Sequence, residues 1–116
     1  GNNMTTVFTY TADQAVQDGL FTDITQLAKE TKRLNVSDLI VRLSVGIKEQ
    51  TNSDSFEFHV NMILKALFDA WDKDTSVFHP EGDGLIQFTY KPFGKIWAML
   101  DYTSGQAIHI FFPSEY

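Results

Sequence analysis

Val7 to Tyr10 alternates apolar and polar side chains and predicts a short strand. Thr11 and Gln14 have capping-box spacing and open a short predicted helix that stops at Gly19, a good residue for a helix C-terminus. Leu20, Phe21 and Ile24 form an apolar link. Thr25 to Leu34 predicts a second helix, with Leu27, Ala28, Thr31 and Leu34 facing inward. Ser37 is the expected cap of a third, in which Val36, Leu39, Ile40, Leu43 and Ile47 recur at helical spacing. Gly46 lowers the helix propensity of that stretch.

Gln50 to Ser53 is polar and predicts a loop. Asp54 and Glu57 form a second capping box. The helix after it carries the strongest pattern in the chain. Phe56, Val60, Ile63, Leu64, Leu67, Ala70 and Trp71 make one wide apolar stripe that runs to about Lys73.

Beyond Gly84 the period changes to two. Leu85 to Tyr90, Lys95 to Tyr102 and Gln106 to Phe112 predict three strands, with turns at Pro92–Gly94 and Ser104–Gly105. Pairing Tyr90 with Ile96 and Tyr102 with Gln106 gathers Ile86, Phe88, Tyr90, Ile96, Ala98, Leu100, Ile108, Ile110 and Phe112 on one face. The expected fold class is therefore α+β, with N-terminal helices followed by a C-terminal three-stranded antiparallel meander packed on a long central helix. One domain is expected over residues 4–116, with Gly1 read as a scar of tag removal and Gly1 to Asn3 set aside.

The second face of that meander is mixed and includes Trp97, Met99, His109 and Phe111. Either the N-terminal helices cover it or it is an interaction surface for a protein partner or a second copy.

Composition narrows the classes. The 116 residues are 43% hydrophobic, 21% charged and 14% aromatic, which suits a globular core rich in rings. The absence of cysteine excludes disulfides, thiolate metal sites and thiol catalysis. No apolar run approaches a membrane span, and no signal-peptide layout opens the chain, so a cytoplasmic location is expected.

The net charge of −6 sits mostly in the second half, around Asp69, Asp72, Asp74, Glu81 and Asp83. An acidic chain disfavours general nucleic-acid binding. Lys29, Lys32 and Arg33 nevertheless share a helix face by spacing, and Lys91 and Lys95 flank Phe93, so these five are the candidate phosphate contacts.

Asp72 and Asp74 begin like a calcium loop, and Asp83 falls at its twelfth position. Val77 stands where that loop needs Gly, and Pro80 interrupts it. His79, Glu81 and Asp83 alternate and add a second weak ligand set, so Asp72, Asp74, His79, Glu81 and Asp83 are the metal candidates. No nucleophile elbow, His-Glu-x-x-His or Gly-rich phosphate loop is present. His59 and His109 lack partners at motif spacing and read as packed or surface imidazoles. An enzyme is thus the lesser reading, and no cofactor is implied.

Tyr10, Thr11, Gln14, Ala15, Val16, Asp18, Gly19, Asp23, Ile24, Thr25, Ala28, Lys29 and Glu30 form a spaced motif. It resembles the opening of a family of small bacterial proteins of unknown function, often encoded on plasmids, integrated elements and phages. The run Ala107 to Pro113 is similar to that family's closing strand. Where the family often continues with Gly after Lys/Arg-Glu, this chain has Thr31-Lys32. The resemblance implies a mobile-element accessory protein and carries over no functional residue.

Overall fold

The computed structural model describes residues 19–33, 39–74, 84–101 and 106–116. The predicted strand at 7–10 and the helix opened by Thr11 lie outside them. Gly19 has φ +78°, a left-handed backbone conformation that suits glycine.

The described chain runs β1 (Phe21–Asp23), α1 (Thr25–Glu30), β2 (Ile40–Ser44), α2 (Val45–Glu49), α3 (Phe56–Lys73), β3 (Leu85–Tyr90), β4 (Gly94–Asp101) and β5 (Ala107–Phe111). A 3-10 turn, Pro113–Glu115, follows. The strands form one five-stranded sheet in the order β1-β2-β5-β4-β3. Among the described residues only the β2–β5 pair is parallel, with Val41 opposite Ile108.

This corrects the expected three-stranded meander. The segment read as a third helix is instead β2 followed by the single turn of α2. Its apolar positions fit helical spacing, yet Val41, Arg42, Leu43 and Ser44 are all buried. A strand buried on both faces loses its alternation and becomes ambiguous in period; β-branched Ile40 and Val41 tip it towards extended backbone. Ser44 then caps α2 by accepting the Ile47 N–H at 3.2 Å.

α1 is shorter than expected, ending at Glu30. Thr25 lies inside it, and the Asp23 carboxylate accepts the Thr25 N–H at 2.8 Å. The Thr25 hydroxyl instead accepts the Val41 N–H at 2.9 Å, tying α1 to β2. The Asp54–Glu57 capping box is also replaced. Asn52 Oδ1 accepts the N–H groups of Asp54 and Ser55 at 3.0 and 2.9 Å, one turn ahead of α3.

α3 follows its stripe and ends at Lys73. Val60, Ile63, Leu64 and Leu67 are fully buried against Ile96, Ala98, Ile108 and Ile110 in one core. Phe68, outside the predicted stripe, is buried as well.

The β4–β5 register is the expected one, with Asp101 opposite Ala107 and Trp97 opposite Phe111. The β3–β4 register differs by two residues, because Tyr90 faces Gly94 rather than Ile96. Phe93 N–H closes the turn on the Tyr90 carbonyl at 2.9 Å, and Gly94 takes φ +91°, where a Cβ would be strained. A shift of two keeps every side chain on its expected face.

Candidate functional site

Strand β3 is the long edge of the sheet; β1, at the other edge, has three residues. Among the described residues β3 pairs with β4 alone. Antiparallel ladders alternate hydrogen-bonded and non-bonded pairs. Leu100 N–H donates to the Gly84 carbonyl at 3.0 Å, so the even positions 84 to 90 bond inward to β4. Gln87 and Thr89 therefore turn their backbone groups outward. Gln87 and Thr89 are both exposed. Leu-Ile-Gln-Phe-Thr-Tyr contains neither charge nor proline, two of the devices that protect a sheet edge.

The expected interaction face divides in two. Trp97 and Met99, on β4, are half-buried, opposite Gln87 and Leu85. His109 and Phe111, on β5, are buried, because β5 lies inside the sheet between β2 and β4. Trp97, Phe111 and Tyr116 form a ring cluster with centroids 5.8–6.3 Å apart, so the C-terminal turn packs on this face.

His109 packs on the Phe21 ring at 4.2 Å and lies 3.6 Å from Asp101. Arg42 stands opposite it in the parallel register and is buried too. Burial lowers the imidazole pKa to about 4; the Arg42 charge pushes the same way and Asp101 opposes. With the ring neutral at pH 7, the His109–Asp101 contact is not an ion pair. A neutral, enclosed histidine serves packing rather than proton transfer to a solute.

The candidate phosphate contacts do not form one patch. Arg33 bonds Asp69 at 2.8 Å and Asp72 at 2.7 Å, and its guanidinium lies 5.6 Å from the Phe68 ring centre. The Asp72 and Asp69 hydrogen bonds raise its pKa, and Arg33 in turn lowers that of Asp69. Arg33 thus fastens the end of α1 to the C-terminal half of α3. Lys91 and Lys95 flank the β3–β4 turn, whose Phe93 ring meets His59 at 4.7 Å near the other end of α3. From His59 to Asp69 the helix rises ~15 Å, so the two cation groups sit at opposite ends. Lys29 and Lys32 are exposed.

Asp72 is engaged by Arg33, and His79, Glu81 and Asp83 lie outside the described residues. Asp74 ends α3. Among the described residues no group of three His, Cys, Asp or Glu could hold a metal. No helix among them is long and apolar enough to cross a membrane.

Two features were not foreseen. Phe58 and Met62, one turn apart on the solvent side of α3, are exposed; only the buried stripe of that helix is marked in the pattern. A cleft of ≈430 Å³ opens beside β1 and α2, lined by Thr22, Lys48, Thr51, Asn52, Ser53 and Phe56. Its Thr51 hydroxyl donates to the Lys48 carbonyl, and Asn52 Oδ1 accepts two backbone N–H groups. These groups shape the turn ahead of α3 and are not directed at a ligand.

Comparison with protein-family models, curated proteins and solved structures found no match.

Proposed function

We propose that this chain is a non-enzymatic binding protein that acts by association, taking a protein strand along its β3 edge. The observation that carries this reading is the uncharged, proline-free edge on which Gln87 and Thr89 direct their backbone N–H and C=O groups outward. Half-buried Trp97 and Met99 on the adjoining face offer apolar area beside that edge. The resemblance in the segment from Tyr10 to Glu30 favours a cytoplasmic accessory role on a mobile element. The catalytic and nucleic-acid readings gain less support, since His109 is enclosed and the cations are divided between two ends of α3.

A photo-crosslinking amino acid placed at Gln87 in bacterial cells tests this. Adducts are expected from position 87 and not from Glu49, an exposed residue on α2 at the opposite side of the sheet. Equal labelling from both positions, or none from 87, rejects the reading.

A further inference from the structure

We infer that the strand taken by the β3 edge is the β3 strand of a second copy, paired antiparallel about a two-fold axis through Phe88. This rests on the association reading above and names its partner.

The argument begins with register. An antiparallel pair of identical strands related by a two-fold axis perpendicular to the sheet must join residues of the same face. With Phe88 on the axis, Ile86 faces Tyr90 of the second copy and Phe88 faces its own equivalent. Gln87 then faces Thr89. The first set lies on the α3 side, where Ile86 and Tyr90 are buried and Phe88 is half-buried. The second lies on the other side, where Gln87 and Thr89 are both exposed and polar. Apolar thus meets apolar and polar meets polar from Ile86 to Tyr90, and Leu85 faces Lys91 at the margin.

The backbone agrees with the same register. The outward groups used are those of Gln87 and Thr89, so each Gln87–Thr89 pair exchanges two N–H···O bonds, and the axis gives two such pairs. Phe88 then falls at a non-bonded pair, where opposed side chains come closest. A ring that is half-buried in one copy would be enclosed in two.

α3 packs on β3, and the two flanks of the helix differ. Lys65, Asp69 and Asp72 hold α1 through Arg33 on one flank. His59, Ala66 and Ala70 recur at whole-turn intervals on the opposite flank, and His59 there meets Tyr90 and Phe93 of β3 and its turn. The flank towards the β3 edge carries Ala66 and Ala70, with exposed Met62 and Lys73 beside them. In the paired molecule the two α3 helices lie side by side, and small residues let them come near while adding area to the strand contact.

Charge exchange at the facing positions tests the register. Light scattering of the intact chain should give twice the monomer mass. Gln87→Lys with Thr89→Lys sets like charges opposite one another and should yield monomer with unchanged far-UV circular dichroism. Gln87→Lys with Thr89→Glu sets Lys opposite Glu across the axis and should retain the dimer. Thr89→Pro, which removes only an outward N–H, should also give a folded monomer. A dimer that survives the double-lysine and proline variants overturns the inference, as does equal loss in both charge variants. A wild-type chain that is monomeric throughout overturns it too. In that last case the crosslink from position 87 separates the two readings: an adduct with a different protein sustains strand capture, and no adduct ends both.

Discussion

The Ser44 hydroxyl donates to the Glu115 carboxylate at 2.7 Å, joining the end of β2 to the last turn of the chain. The same carboxylate accepts N–H groups from Gly46 at 3.1 Å and Phe112 at 2.8 Å. One side chain thus completes the cap of α2 and fixes the 3-10 turn. Glu115→Ala should cost roughly 2 kcal/mol, since it removes hydrogen bonds to a charged acceptor and leaves a buried hydroxyl short of a partner. Urea unfolding measures this, and an unchanged midpoint would show that the latch contributes nothing.

Gly46 makes that latch possible. A Cβ at position 46 would stand 2.5 Å from Glu115 Oε2, so Gly46→Ala must displace the carboxylate. The alanine variant should lose stability in the wild-type background and almost none in a Glu115→Ala background. Additive losses in a double-mutant cycle would disprove the coupling.

His109 predicts an acid-sensitive fold. Its folded pKa of about 4 lies below the ordinary value of 6.5, so between these pH values the unfolded chain binds more protons. Stability from this group is complete above about pH 6.5 and declines as pH falls through 4. The full loss is about 3 kcal/mol by the linkage relation. Acid unfolding draws on other groups as well, so the test is comparative. His109→Gln should flatten the fall in unfolding free energy between pH 7.5 and 4.5, and a slope identical to wild type would refute it.

Leu64 probes the packing of α3 on the sheet. It is fully buried, and Leu64→Ala should cost ~2–5 kcal/mol through lost transfer energy and a residual cavity. Asn61→Ala, on the exposed side of the same helix, should change stability by less than about 0.5 kcal/mol. Similar losses in the two variants would contradict the assigned face.

The parts of this fold that the sequence revealed are those whose period is local. α3 announced its buried stripe, and the β4–β5 register followed from matching faces. β2 did not, because burial on both faces removes alternation, and its partner β5 lies far along the chain. The same omission affected the candidate site. His109 and Phe111 share a face with Trp97 and Met99, yet an outer strand in the expected meander became an inner one once β2 was beside it. That change left β3 as the long edge and drew attention from the middle of the face to its margin.

The parallel β2–β5 pair also sets an order on biosynthesis. When β2 emerges from the ribosome, β1 can pair with one side of it, but the other side must wait until Ala107 to Phe111 has been made. Until then the Ile40 N–H, which donates to the Gln106 carbonyl at 3.0 Å, and the Arg42 N–H, which turns the same way by alternation, lack their acceptors. Nascent chains arrested before Ala107 should show rapid amide exchange at those positions, and protection there before β5 is synthesised would contradict this sequence of events. The final strand therefore closes the middle of the sheet, so the centre of the molecule is the last part to become native.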